Sequence, residues 1–411
     1  MLKILAVLMM TGIVNLIAVG CNSIQLPKQI TPSILSKTFP FSLTTPLPIF
    51  TPAGKYEIEE TGATDIGHGV YGEIGGRKYL FLEINTQGSN PLAAPQLLIL
   101  DVQNPSQPIK IASLKATDNT RWLWNSALSG TTLYVNADNF LWLIDVSNPA
   151  APKELSKLNN IQPINLAVSG NHAYINDNNQ RISVADVSDP VHPRFIGDLA
   201  LSSSSGIGLN IIGHYLLAKT IETLYVIDIS SPDSLKIINN FSFGADTISN
   251  GPPTPEAKPT YILGQAISGK YTFLVLGNGG KNRLSILDIS DPTNPKQISQ
   301  LDLSSQNARS PIFVSGQRVY LFSEQLNPNL KVRDRFIEMI VAVDISDPAN
   351  PVSLGSCALP GSSQIFPTLY SGSSETANVV GNYLYWFLGN PPNHPVIEII
   401  NLSASETVHE P

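Results

Sequence analysis

The sequence predicts an all-β chain: a seven-bladed β-propeller of four-stranded blades, closed by an N-terminal strand that completes the last blade. Three observations predict it. First, a twelve-residue phrase recurs, an apolar run that ends on Asp and leads into prolines. It reads LLILDVQNPSQP (97–108), LWLIDVSNPAAP (141–152), ISVADVSDPVHP (182–193), LSILDISDPTNP (284–295) and IVAVDISDPANP (340–351), with a weaker copy in LYVIDISSPDSL (224–235). Second, a glycine with a large apolar residue four positions on precedes each copy: Gly75/Tyr79, Gly130/Tyr134, Gly170/Tyr174, Gly213/Leu217, Gly269/Phe273, Gly316/Tyr320 and Gly381/Tyr385. Third, successive Asp residues lie 41 to 60 apart, from Asp101 through Asp145, Asp186, Asp228, Asp288 and Asp344 to Asn401, room for four short strands per unit.

The elements follow in chain order. Residues 1–20, MLKILAVLMMTGIVNLIAVG, have a positive start at Lys3 and an apolar stretch too short for an ordinary spanning helix. The end of that stretch, Ala18-Val19-Gly20-Cys21, resembles the lipobox of bacterial lipoproteins, with Ala18 where Leu is usual. The resemblance implies cleavage before Cys21 and a diacylglyceryl thioether on its sulfur. It places the chain at the bacterial cell envelope, lipid-anchored on the outer side of the cytoplasmic membrane or in the outer membrane. The second cysteine, Cys357, is not expected to pair with Cys21, whose thiol the lipid would take. Residues 21–53 are rich in Pro, Ser and Thr without strand or helix period and read as a tether.

The propeller is expected over residues 54–411. In each unit the first strand ends at the Gly turn and the second starts just after it. The third is the apolar run, and the fourth follows the second proline. The seventh unit, VIEIINLSAS, has no recognisable fourth strand, so Tyr56–Glu60 is expected to supply it and remove the open edge. The repeat resembles the LVIVD repeat of bacterial proteins, here written LLILD, LWLID, LYVID and LSILD. That family is named for its pattern, and the resemblance carries a fold without an activity.

The repeated Asp has two readings. In a turn, Asp accepts hydrogen bonds from N–H groups just ahead and Pro presets the next φ. As a cation site, pairs such as Asp288 with Asp291 would act together, but the second acid is Asn104, Asn148 or Ser231 in other copies. The turn reading is the one adopted; no metal and no cofactor is expected. No nucleic-acid partner is expected either, because the net charge is −7 and basic residues do not cluster.

Antiparallel strands put the Gly turns and the Asp-Pro turns on one face of the ring. The other face takes nearly all the length variation, at 85–96, 243–261, 323–336, 359–376 and 389–395. Loops on a rigid scaffold are where binding concentrates. The candidate ligand-binding residues on that face are Trp122, Trp124, Arg333, Arg335, Trp386 and His394, each with a plainer reading as blade packing or a solvated loop. Most of the histidines read as surface residues. The function expected is a non-catalytic binding or scaffold module for an envelope protein or glycan, with the membrane reached through lipidated Cys21. The alternative is a propeller enzyme (hydrolase, lyase or quinoprotein-like) with its site at the channel mouth. No nucleophile-elbow or haem-attachment motif is present.

Overall fold

A computed structural model describes residues 50–60, 63–86, 94–117, 120–177, 180–201, 208–243, 260–278, 281–304, 308–326, 336–358, 377–388 and 395–402. They form seven four-stranded antiparallel sheets. Blade 1 is Ala63–Ile74, Arg77–Thr86, Gln96–Asp101 and Ile109–Lys115; blade 2 is Leu123–Ser129, Thr132–Ala137, Phe140–Asp145 and Lys153–Asn159. Blade 3 is Pro163–Ser169, His172–Asp177, Arg181–Asp186 and Arg194–Ala200; blade 4 is Gly208–Ile212, Tyr215–Lys219, Thr223–Asp228 and Lys236–Ser242. Blade 5 is Tyr261–Ser268, Tyr271–Asn278, Lys281–Asp288 and Lys296–Asp302; blade 6 is Ala308–Ser315, Arg318–Leu326, Phe336–Asp344 and Val352–Ala358. Blade 7 combines Ala377–Val380, Tyr383–Leu388 and Val396–Asn401 with the outer strand Thr51–Glu57.

The closing strand therefore exists, and it starts earlier than the sequence suggested. Thr51 pairs with Asn401 and Glu57 with Val396. Pro52 hides the strand in a sequence reading, yet an outermost strand tolerates its missing N–H. Phe50, just ahead, is buried and meets Tyr320 of blade 6 edge-on at 6.0 Å.

Apolar alternation explains the layers. The third strands are buried on both faces, as in Gln96–Asp101, and the fourth strands mostly face solvent. The buried side chains form one cluster per interface between neighbouring blades; Phe81 and Ile99 of blade 1, for example, meet Leu133 and Trp142 of blade 2. Each fully buried Leu, Ile or Phe contributes roughly 1.5–3 kcal/mol.

One register differs from the sequence reading. In blades 2 and 3 the residue two past the Gly pairs with the Asp, Thr132 with Asp145 and His172 with Asp186. In blade 1 Tyr79 holds that place, opposite Asp101. The blade 1 hairpin, with Gly75 and Gly76 both at positive φ, is thus two residues longer. Phe81, rather than Tyr79, is the counterpart of Tyr134 and Tyr174.

The repeated Asp is turn geometry. Asp101, Asp145, Asp186, Asp228, Asp288 and Asp344 each accept the backbone N–H two residues on, at 2.8–3.0 Å. A β-turn follows with Pro in its second position, closed by bonds such as Asn294 N–H to Asp291 C=O at 3.0 Å. The Ser hydroxyl and then the backbone N–H of Ser147, Ser188 and Ser290 hold the carboxyls of Asp145, Asp186 and Asp288 below their usual range. A lowered folded-state pKa gives stability that is present above the unfolded value, 3.8, and lost as pH falls below it. Melting at pH 3 is therefore expected well below melting at pH 5. Replacing all three by Asn keeps the acceptor and should flatten that acid limb in thermal scans.

The turns also join the blades. Each fourth strand carries a bulge near its start, and in blades 2 to 5 and 7 the residue after the bulge faces the next blade's Asp-Pro turn. Ser156 donates to Pro190 C=O at 2.6 Å, Asn239 to Thr293 C=O at 2.9 Å and Ser299 to Pro348 C=O at 2.6 Å. In blade 3 the same place is Gly197, where a Cβ would stand 3.0 Å from Asp233 O, and in blade 7 it is Gly54, against Ser106 of blade 1. The carbonyls of one blade's turn are thus seated in the outer strand of the blade before it.

Candidate functional site at the inner, long-loop end of blades 1 to 4

The second strands run from the Gly turns toward the long-loop face. Two residues beyond the large apolar residue of each stands one side chain per blade. In blades 1 to 4 it is polar: Glu83, Asn136, Asn176 and Lys219. In blades 5 to 7 it is Val275, Phe322 and Phe387. The ring is therefore polar along one arc and apolar along the other at the same depth.

Local backbone builds the centre of this arc. In blade 1 the inner strand bulges, so that Gly67 and His68 together oppose Glu83. The His68 N–H then points at the carboxylate and donates to Glu83 Oε2 at 2.8 Å. Gly67 is required there, since a Cβ would stand 2.6 Å from the Leu123 carbonyl of blade 2. Asn85 accepts from Leu123 N–H at 2.8 Å and donates to Leu123 C=O at 2.9 Å, tying the two blades together. Blade 2 repeats the device: Trp124 and Asn125, the latter at φ 59°, oppose Asn136.

Glu83 is fully buried, and loss of hydration pushes its pKa up to about 7. The neighbouring His68 pulls the other way. The Ser126 hydroxyl of blade 2 stands near enough to favour the charged form without making a well-formed hydrogen bond. Glu83 Oε1, Ser126 Oγ, both side-chain polar atoms of Asn136 and Asn176 Oδ1 find no hydrogen-bond partner among the described residues. Buried polar atoms are nearly always satisfied, so a run of exceptions in adjacent blades marks a place where water or a ligand group belongs. Asp65, on the same inner strand as His68, is solvent-exposed yet enclosed enough that lost hydration raises its carboxyl pKa.

The residues expected from the sequence are placed as follows. Trp124 is half-buried, and its indole N–H donates to Pro163 C=O of blade 3 at 2.7 Å, a blade-to-blade tie near the arc. Trp122 is half-buried just ahead of the blade 2 inner strand. Trp386 is buried between blades 6 and 7, 6.3 Å from Phe322. Arg333, Arg335, His394 and Cys21 lie outside the described residues, as do most of the long loops. Glu83, His68, Asn136 and Asn176 were not among the candidates; the signal was a polar column inside otherwise apolar second strands. Cys357 is buried in the interface of blades 6 and 7. The expectation about its pairing with Cys21 involves a residue outside the described ones.

Among the described residues, no group of three or more His, Cys, Asp or Glu side chains could hold a metal ion. No helix there is long and apolar enough to cross a membrane.

The LVIVD repeat matches residues 93–115, 124–160, 164–200, 265–302 and 338–358. Those segments fall on blades 1, 2, 3, 5 and 6; blades 4 and 7 carry the weaker copy and the copy with Asn401. None of the curated proteins matches the sequence. Among solved structures, a chain from the crystal structure of the mitotic checkpoint complex is similar at 12% identity and TM-score 0.55, over 89% of this chain and 99% of that one. The Pan2 WD40 domain of Neurospora crassa is similar at 9% identity and TM-score 0.51, over 87% and 96%. A Lactobacillus plantarum protein is similar at 9% and 0.50, over 72% and 96%. Likeness at such identity shows the fold alone. The chain carries LVIVD repeats, and its seven sheets form a seven-bladed β-propeller.

Proposed function

We propose that the chain is a lipid-anchored protein of the bacterial cell envelope whose propeller is a non-catalytic binding or scaffold module. Its partner, an envelope protein or glycan, meets the long-loop face. The observation that carries this reading is the asymmetry of the ring at that end: the second-strand position is polar in blades 1 to 4, with unsatisfied buried atoms in blades 1 to 3, and apolar in blades 5 to 7. A purely structural ring has no need of it. The alternative, a hydrolase, lyase or quinoprotein-like enzyme, draws on the raised pKa of Glu83 beside His68 and Ser126. A general acid must touch its substrate, however, and Glu83 has no exposed surface.

The anchor is supported by the leader and by the sequence around Cys21. Intact-mass analysis of membrane-extracted protein should show the diacylglyceryl thioether on Cys21, and Cys21→Ser should move the protein to the soluble fraction. For the binding face, crosslinking pull-downs from membranes compare deletions of 244–259 and of 327–335 with Asp291→Asn on the opposite face. Capture is expected to fall at least about tenfold with one or both deletions and to persist with D291N. Unchanged capture in both deletions would put the partner elsewhere.

A further inference from the structure

The repeats serve as their own controls. Three residues before the terminal Asp of the third strand, blades 1, 2 and 4 place Leu98, Trp142 and Tyr225, all buried against the preceding blade. Trp142 is almost wholly buried there, and its indole N–H donates to Glu154 Oε2 at 2.8 Å. Blades 3 and 5 have Ser183 and Ser285 in the same place. Ser285 is fully buried, whereas Ser183 is half-buried and lines a groove of about 540 Å³ between blades 2 and 3, which opens beside the connection Asn160-Ile161. That volume lies within the roughly 300–1,000 Å³ of small-molecule sites.

Its lining combines fixed polar groups with one ring face. Arg181 Nη1 is 3.1 Å from Asp198 Oδ2, both side chains half exposed. Asp177, nearly buried, accepts the Arg181 backbone N–H at 3.4 Å. Asn160 is held at φ 65°, a left-handed backbone conformation that Asn tolerates better than most residues. Phe195, exposed to 41%, forms a wall. Two carboxylates against one already paired guanidinium disfavour an anion. The polar lining disfavours a purely apolar ligand. Paired planar donors and acceptors beside an aromatic face suit a molecule with hydroxyls on its rim and C–H groups on its face.

We infer that the groove between blades 2 and 3 is a binding site for a neutral carbohydrate. Phe195 packs against a pyranose face, while Arg181, Asp198, Asn160 and Ser183 hydrogen-bond its hydroxyls. None of the lining residues belongs to 244–259 or 327–335, so the deletions and this site are tested independently.

The test uses the full-length chain in detergent, with maltose, cellobiose and N,N′-diacetylchitobiose as probes and inorganic phosphate and argininamide as controls, read by isothermal titration and ligand-observed NMR. At least one disaccharide is expected to bind with a Kd tighter than about 10 mM. Ser183→Trp, which copies blade 2, and Phe195→Ser, a surface change, should each weaken it at least about tenfold. If S183W does not fold, as judged by melting, F195S decides. Absence of disaccharide binding, binding that survives the folded variants, or tighter binding of phosphate or argininamide would overturn the assignment.

Discussion

Glu83→Gln makes the propeller more stable at pH 8 and leaves it nearly unchanged at pH 4.5. The folded pKa of Glu83, about 7, lies above its ordinary 4.5 because the carboxyl is wholly buried. The folded state therefore holds the proton more tightly than the unfolded chain does. The cost of Glu83 is least below pH 4.5, grows between pH 4.5 and 7, and is constant above. At about 1.4 kcal/mol per pKa unit, the full swing is roughly 3 kcal/mol. Glutamine keeps an acceptor for the His68 N–H and removes the charge. Denaturation midpoints of both proteins at pH 4.5, 6 and 8 test this, with the difference between them isolating Glu83 from other titrations. A constant difference across that range would mean that Glu83 titrates normally. Together with the aspartates of the Asp-Pro turns, which lose their contribution below pH 3.8, this places the stability maximum on the mildly acidic side.

Gly54→Ala is expected to open the ring. A Cβ at Gly54 would stand 2.1 Å from the carbonyl oxygen of Ser106. That carbonyl cannot give way freely, because its turn is closed by Gln107 N–H to Asn104 C=O at 3.0 Å and capped by Asp101. Either the turn of blade 1 or the outer strand of blade 7 must move, at roughly 3 kcal/mol or more. The matched change Gly197→Ala meets Asp233 O at 3.0 Å and is expected to cost only about 1 kcal/mol. Chemical denaturation ranks the two, and limited proteolysis should cut residues 50–60 first in G54A. Equal costs would show that the closing strand is no more tightly seated than an ordinary outer strand.

Much of this fold is legible because the repeat writes it down several times. An apolar run ending in Asp and Pro fixes the third strand and its turn through local chemistry alone, and six copies agree. What escaped depends on comparison across blades. Thr51–Glu57 contains Pro52 and has no Asp-Pro phrase before it, so only its pairing with Val396–Asn401 defines it. The polar arc escaped for a related reason. Glu83 aligns with Asn136 and Asn176 only once the longer blade 1 hairpin shifts the register by two. Read through Tyr79, the column falls out of line. Trp122, Trp124 and Trp386 stand out in the sequence by size, and Trp124 and Trp386 tie blades together where they are described. The groove beside Ser183 is not legible from the repeat either, since blade 5 has Ser285 in the same place and buries it fully.

The closing strand has a consequence for synthesis. Thr51 is made long before its partner Asn401, so the ring stays open until that last strand of blade 7 has been delivered. Until then the first segment waits with unpaired N–H and C=O groups, and so does the edge of each newest blade. Contacts this distant in sequence form slowly, and unpaired edges in the meantime invite association with other chains. The proline at position 52 removes one donor from the waiting segment, and the bulge between Pro52 and Gly54 breaks its regular spacing. Both make it a poor template for a foreign strand. The same two irregularities that hide the segment from a reader of the sequence would protect it from the wrong partner before the right one arrives.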